Sequence, residues 1–310
     1  MDIINNISAI QVDRPTAVAL GNFDGLHRGH ADVIKAAVRS ENLLPVVFTF
    51  TENPHPAAQL TTLREKLLIM RSLGVKKLIA VDFSDVREMP AEEFVKKLLL
   101  GNCKTRRLCC GEDYRFGYQA QGDITLLKAL CNEQGVEVEV VPSALHHGEK
   151  ISSTRIRNAI EAGNIKEAND MLGRTFSYSF EVIHGNHIGR GLGTPTINQA
   201  LPENFIIPKF GVYVTVARID GEHYYYGVTN IGIKPTVGSD RVLSETWMPE
   251  FHGDLYGKRV RLFLLDFVRP ERRFSSLVEM KEEILRNAQT AKEIAAKTDW
   301  KSLGQYLSTA

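Results

Sequence analysis

His27 and His30 stand three positions apart in a stretch dense in glycine, Gly21-Asn22-Phe23-Asp24-Gly25-Leu26-His27-Arg28-Gly29-His30. Imidazoles offer side-chain donors, and Gly29 between them removes a Cβ that would keep a ligand or backbone at a distance. The apolar run Thr16–Leu20 just before predicts a buried strand, and Val33, Ile34, Ala37 and Val38 just after recur at helical spacing. The stretch is therefore a turn from strand to helix, where free backbone N–H groups and the helix dipole attract anions. These residue types predict a phosphate site with two imidazoles aimed at it. A second set comes late in the same half, Ile151-Ser152-Ser153-Thr154-Arg155-Ile156-Arg157. Its three hydroxyls cap a helix or donate to phosphate oxygens, and its arginines present a planar fork suited to phosphate. Cations in a first helical turn oppose the dipole, so a bound pyrophosphate would relieve them. The two sets together predict a two-sided phosphate clamp.

A third set opens the second half: His184-Gly185-Asn186-His187-Ile188-Gly189-Arg190-Gly191-Leu192-Gly193-Thr194-Pro195-Thr196-Ile197-Asn198. Gly185, Gly189 and Gly193 let backbone donors wrap phosphates. The Thr196 hydroxyl and Asn198 carbonyl are hard oxygens suited to Mg²⁺. Two smaller features lie at predicted strand ends, the edge of an open α/β sheet where ligands bind. One is His55 between prolines in Asn53-Pro54-His55-Pro56, a rigid extended turn. The other is the loop Gly111-Glu112-Asp113-Tyr114-Arg115-Phe116-Gly117. Asp113 or Arg115 there contacts a nucleotide, or the two serve a surface ion pair; the residues leave both readings open.

The elements that must position these groups alternate in the first half. Strands are predicted over Leu44–Phe50, 77–83, 108–110 and 136–141, and helices over 62–73, 90–100 and 123–135. Such alternation predicts a Rossmann-like parallel sheet with helices on both faces. The dinucleotide fingerprint Gly-x-Gly-x-x-Gly is absent, which favours a nucleoside triphosphate over a nicotinamide cofactor. The helical segment Ile165–Leu172 stops at Gly173, and the pattern then changes. Gly211–Ile219 and 224–231 alternate around Asp220-Gly221, a hairpin turn, and 258–267 is a further strand. Short antiparallel strands predict a small closed barrel, followed by an amphipathic C-terminal helix over 277–294. The expected domains are 1–175 and 176–310.

A chain of 310 residues with 43% hydrophobic and 24% charged residues is an ordinary globular protein of two domains. Its formal net charge of +1 gives no electrostatic case for a nucleic-acid partner. No apolar run is long enough to cross a bilayer, and the first residues lack the pattern of a signal peptide. Cys103, Cys109, Cys110 and Cys131 match no zinc spacing and read as core thiols in a reducing cytoplasm.

His-x-Gly-His at a strand-to-helix turn resembles the signature of the nucleotidylyltransferase superfamily, whose members attack the α-phosphate of a nucleoside triphosphate. With Asn-Pro-His-Pro, Gly-Glu-Asp-Tyr-Arg-Phe-Gly and Ile-Ser-Ser-Thr-Arg-Ile-Arg in the same order and spacing, the first half resembles the prokaryotic bifunctional riboflavin kinase/FAD synthetase family. The resemblance implies adenylylation of FMN by ATP, giving FAD and pyrophosphate. It implies that His27 and His30 stabilise the α-phosphate transition state. Ser152, Ser153, Thr154, Arg155 and Arg157 would hold the leaving pyrophosphate with Mg²⁺, and Gly21, Asn22, Phe23, Asp24, His55 and Asp113 would line the ATP or flavin pocket. The second half resembles the flavokinase part of the same family. There Glu245 matches the general base for the riboflavin 5′-hydroxyl, Thr196 and Asn198 the metal oxygens, and Gly185, Gly189, Arg190, Gly193, Pro195, Arg269 and Phe274 the nucleotide and flavin pockets.

The second half departs more from the family pattern, with Asn186 in place of an aspartate, Thr194 in place of a phenylalanine, and Trp247-Met248-Pro249-Glu250 in an altered run. Two readings therefore stand beside full bifunctionality: an adenylyltransferase with a weak or inactive kinase, and a flavin- or nucleotide-binding regulatory protein. The oligomeric state is not legible in the sequence.

Overall fold

The computed structural model describes residues 1–52, 57–185, 193–236 and 239–307. Two compact units divide it: Met1–Ser153 joined by the chain end from Tyr306, and Thr154–Gln305.

The first unit is built on a six-stranded sheet, all of whose pairs are parallel. Its strands are β1 (Asp2–Ile4), β2 (Thr16–Leu20), β3 (Leu44–Phe50), β4 (Lys77–Val81), β5 (Thr105–Gly111) and β6 (Glu137–Val141), in the order β1-β4-β3-β2-β5-β6. The chain winds outward from β2 through β3 to β4, then returns to lay β5 on the other side of β2. The order therefore reverses between β2 and β5, and a crevice opens at their carboxyl ends. Every residue of β2 is buried, and its side chains alternate between two cores. Ala17 and Ala19 pack with Val33, Ile34 and Ala37 of α1 (Arg28–Val38) and Met70 of α2 (Leu63–Ser72). Val18 and Leu20 pack on the opposite face with Phe94, Val95, Leu98 and Leu127.

Local sequence sets the helix ends. Thr62 caps α2 by accepting from the Glu65 N–H, and Asp123 caps α5 (Ile124–Asn132) by accepting from Leu126. A short α3 (Ser84–Arg87) precedes the helix expected over 90–100. That helix is α only in its first turn, α4 (Ala91–Glu93), and continues as a π-helix over Phe94–Asn102. After β6 the hairpin β7 (Leu145–His146) and β8 (Glu149–Lys150) turns through His147 and Gly148, both at positive φ.

The second unit opens with α6 (Ser153–Ala162), which starts on the last residue of the first unit, and α7 (Ile165–Leu172), which stops at Gly173 in the left-handed conformation. An antiparallel six-stranded sheet follows, in the order β10-β13-β12-β11-β14-β9. Its strands are β9 (Ser177–Glu181), β10 (Thr196–Ala200), β11 (Gly211–Ile219), β12 (His223–Thr236), β13 (Ser239–Trp247) and β14 (Arg259–Pro270). The terminal strands approach one another: Gln199 of β10 donates to the carbonyls of Phe180 at 2.6 Å and Val260 at 2.8 Å, so the barrel is nearly closed. Asp220 and Gly221, at φ 51° and 78°, form the hairpin turn that the sequence predicts. The barrel interior holds Tyr178, Tyr213, Phe263 and a line of hydroxyls, Thr215 to Thr229 to Thr246, at 2.8 Å each. The helix α8 (Leu277–Ala296) lies on β11 and β12.

All four cysteines are free and buried, and Cys109 and Cys110 point into opposite cores of the parallel sheet. Burial pushes the thiols of Cys103, Cys109 and Cys110 up to about 12 and that of Cys131 up to about 11. Since the thiolate is the reactive form, iodoacetamide at pH 8 should leave all four unmodified in the folded chain and label all four in urea. Mass spectrometry of both samples checks this.

Candidate functional site

The turn after β2 is wound tightly against its own preferences. Phe23 and Leu26 take φ of 52° and 43°, values that side chains rarely adopt, and Gly25 takes 78°. Bonds from four directions fix it. The Asn22 carbonyl accepts from Thr49 Oγ1 at 2.8 Å and Lys66 Nζ at 3.2 Å. The Gly25 N–H donates to Thr61 Oγ1 at 3.1 Å, and Ser153 Oγ donates to the Asp24 carbonyl at 2.9 Å. The Asp24 carboxylate accepts from the Leu60 N–H at 3.0 and 3.3 Å. Asp24, expected in the pocket, is only 2% exposed and is not among the residues that line the cavity; it serves the turn from beneath.

The helix begins at Arg28, earlier than the sequence periodicity indicated, so His27 is its N-cap and His30 lies in its first turn. His27 Nδ1 accepts from the His30 N–H at 3.3 Å. The neutral His27 ring therefore carries its proton on Nε2 and presents an N–H donor there. The two imidazoles stack, with centroids 3.6 Å apart and 18° between planes, and the Phe23 ring meets His30 edge-on at 5.4 Å. Gly21 suits this packing, since a Cβ there would lie 3.0 Å from the Phe23 ring, which would have to give way.

A cavity of about 840 Å³ opens at the β2/β5 crevice. Gly21, Asn22, Phe23, His27 and His30 line it from the β2 turn, Asp113 and Arg115 from the loop after β5, and Ser152 and Ser153 from the approach to α6. The structure thus brings the imidazoles and the serine hydroxyls to one space. Aromatic rings fill another part of its wall: Phe48, Phe50 and Phe83 are joined by edge contacts, and Tyr114 stacks on Phe116 at 5.9 Å. Asp113 pairs with Lys150 at 2.7 Å, and Arg115 lies 3.9 Å from Asp123. Thr154, Arg155 and Arg157 lie on α6 in the second unit, where Arg155 is 3.7 Å from Glu167. His55 falls outside the described residues.

In the second unit, strand register does the assembling. Asn198 of β10 is paired with Glu245 of β13, and Glu245 with Asn230 of β12. Thr196, two residues before Asn198, projects to the same face, opposite Trp247. Thr196, Asn198 and Glu245, 49 positions apart at the extremes, thereby form one polar patch. Gly185 lies close against Asn198, because a Cβ on Gly185 would fall 2.4 Å from its Nδ2. Asn198 is 5% exposed, and its Oδ1 is a buried acceptor with no hydrogen-bond partner among the described residues. A buried oxygen of this kind suits a hard cation. No group of three His, Cys, Asp or Glu able to hold a metal occurs among the described residues.

Gly193 sits at φ 75° just before Pro195, whereas Gly189 and Arg190 lie outside the described residues. The Arg269 guanidinium lies over the Phe274 ring at 5.6 Å and 3.0 Å from Glu283 of α8. Sequence reasoning missed Asn230, whose amide donates to Glu271 at 3.0 Å, and the stack of His184 on Tyr256 at 3.9 Å. Both depend on pairing between distant segments, which no local pattern encodes.

Against known proteins, residues 9–155 match the family model described as FAD synthetase, and residues 172–295 the model described as riboflavin kinase. A bifunctional riboflavin kinase/FMN adenylyltransferase of Escherichia coli K12 is 35% identical over 292 residues, covering 91% of this chain and 93% of its own. One from Listeria monocytogenes is 33% identical over 297 residues, with the same coverage of 91% and 93%. Among solved structures, a protein from Streptococcus pneumoniae called a macrolide-efflux protein superposes with a TM-score of 0.84 at 30% identity, over 96% of this chain and 99% of that one. Among the described residues of this chain no helix is long and apolar enough to cross a membrane.

The His27 cap and the His27 ring chemistry can be separated. His27→Ala removes the acceptor and should cost roughly 0.5–2 kcal/mol at the start of α1. Hydrogen exchange at the His30 amide should speed up by about 2- to 30-fold. His27→Asn keeps an acceptor at the cap and should leave that exchange close to wild type.

Proposed function

Because the chain belongs to the bifunctional riboflavin kinase/FMN adenylyltransferase family and carries both transferase activities, we propose how its residues divide the two reactions. The enzyme uses ATP to phosphorylate riboflavin to FMN, then adenylylates FMN to FAD with release of pyrophosphate. We assign adenylyl transfer to residues 1–175 and riboflavin phosphorylation to residues 176–310.

The first assignment rests on one observation, the cavity at the β2/β5 crevice lined together by His27, His30, Ser152 and Ser153. In adenylyl transfer a phosphate oxygen of FMN attacks the α-phosphorus of ATP in line. The bond from that phosphorus to the bridging oxygen breaks, and pyrophosphate leaves with the electron pair. No protein nucleophile is needed; the chain contributes position and charge. His27 Nε2–H and the His30 ring donate to the α-phosphate oxygens as negative charge builds. Ser152, Ser153, Thr154, Arg155 and Arg157 hold the departing pyrophosphate. Gly21, Asn22, Phe23, Asp113 and His55 shape the nucleotide and flavin pocket, with Asp24 fixing the turn.

The second assignment rests on the patch formed by Thr196, Asn198 and Glu245. The Glu245 carboxylate takes the proton of the riboflavin 5′-hydroxyl as that oxygen attacks the γ-phosphorus of ATP. Thr196 and Asn198 would hold Mg²⁺, which when bound neutralises phosphate charge. Gly185, Gly189, Arg190, Gly193 and Pro195 wrap the nucleotide, and Arg269 and Phe274 border the flavin. The free thiols suit a reducing cytoplasm, where we place the enzyme.

Two feeds test this division. Riboflavin with ATP and Mg²⁺ should give FMN and FAD, and FMN with ATP should give FAD. His30→Ala should slow FAD formation by about 10²- to 10³-fold and spare riboflavin phosphorylation. Glu245→Gln should do the reverse, by about 10²- to 10⁴-fold. If either variant, still folded, lost both reactions in parallel, the assignment of separate sites would fail. Flavin binding without product from either feed would overturn the catalytic reading itself.

A further inference from the structure

We propose that Lys66 is a positioning residue for adenylyl transfer: a buried ammonium beneath the catalytic turn that holds the Asn22 carbonyl and, through it, the stacked rings of Phe23, His30 and His27. The proposal rests on the adenylyl-transfer reading of the cavity and deepens it.

Lysine is among the residues least often fully buried, because its charge must leave water. Lys66 is nonetheless only 3% exposed. It lies on α2, 44 residues beyond the carbonyl it bonds. Packing alone would be met by methionine or leucine, so the retained charge calls for a use. Burial lowers the Lys66 pKa, and the nearby Asp24 charge counters that shift. Asp24 is itself buried, and its carboxylate accepts from the Leu60 N–H. The two opposite charges therefore sit under the turn, one bonded to its start and the other belonging to its middle.

What they support is strained. The carbonyl of Asn22 receives both Lys66 and Thr49, so the peptide plane entering Phe23 is held from two sides. Phe23 then adopts φ 52°, a conformation that persists only where the surroundings over-determine it. Of the bonds that pin the turn, that from Lys66 has an ionised donor and that to Asp24 an ionised acceptor, and charge-assisted bonds are the stronger kind. From Phe23 the constraint passes by contact. Its ring edge meets His30, His30 stacks on His27, and both imidazoles line the cavity with Asn22 and Phe23. Small displacements of a group that must meet a transition state are costly in rate. Lys66 touches neither substrate in this scheme and acts through the turn.

The test is Lys66→Met in the full chain. Three readings are taken: steady-state FAD formation from FMN and ATP, riboflavin phosphorylation, and the imidazole Hε1 signals of His27 and His30 by NMR, assigned with His27→Asn and His30→Ala. The expected result is a fall of about tenfold or more in kcat for FAD formation, with smaller changes in KM. Riboflavin phosphorylation should be unchanged, and the two Hε1 signals should move as the stack loosens. Unchanged kcat with unmoved signals overturns the proposal, as does a parallel loss of both activities or a rise in KM alone. Should Lys66→Met not fold, the double variant Asp24→Asn/Lys66→Met removes both buried charges, and the same three readings are compared with those of Asp24→Asn alone, the difference standing for Lys66. If the wild-type chain forms no FAD, the reading of the cavity fails, and the NMR signals alone decide whether Lys66 holds the rings.

Discussion

Phe23, Gly25 and Leu26 all take positive φ within four residues, and only the glycine does so without penalty. Each of the other two costs on the order of 1–3 kcal/mol, so a turn of this shape exists only where tertiary bonds outweigh it. Here those bonds come from β3, from the segment before α2, from α2 itself and from Ser153. The cavity inherits its form from that arrangement. With the turn relaxed, Phe23 would leave His30, the imidazole stack would lose its edge support, and the space at the β2/β5 crevice would change shape. The parallel sheet provides the location, since the strand order reverses there, and the buried bonds provide the geometry.

The second unit solves its placement problem by other means. Its polar patch lies on the face of a sheet, and no strained turn is needed to gather it. Antiparallel pairing sets Asn198 against Glu245, and period-two alternation puts Thr196 on the same side. The interior side of the barrel carries the Thr215, Thr229 and Thr246 hydroxyls and the Tyr178–Ser244 bond at 2.7 Å. A slip of one residue in β13 would exchange Glu245 with Ser244 or Thr246, burying a carboxylate and exposing a hydroxyl. The cost of burying that charge protects the register, and the register protects the site.

Much of this was legible from residue order. The strands Thr16–Leu20 and Leu44–Phe50, the helix stop at Gly173 and the hairpin at Asp220-Gly221 are local features, and local rules found them. His27, His30, Ser152 and Ser153 were legible because they cluster in short motifs, and the cavity contains all four. The bond that Asp24 makes was not legible, because nothing in Asn22-Phe23-Asp24-Gly25 tells that the carboxylate turns to a backbone amide 36 residues later. Lys66 was passed over for the same reason, as one lysine of a helix with ordinary amphipathic spacing. The π-helical stretch after Glu93 carries no glycine or proline in its first turns to announce it. Asn230 depends on register, which is a property of two strands at once.

Tyr306 packs against the core formed by β2, α1 and α2, although more than 150 residues separate it from the rest of that unit. Synthesis runs in one direction, so the ribosome releases the whole barrel before that side chain emerges. The parallel-sheet unit is therefore complete only once the last residues of the chain have been made. Shortening the chain by a few residues at its end would act on the half of the protein made first.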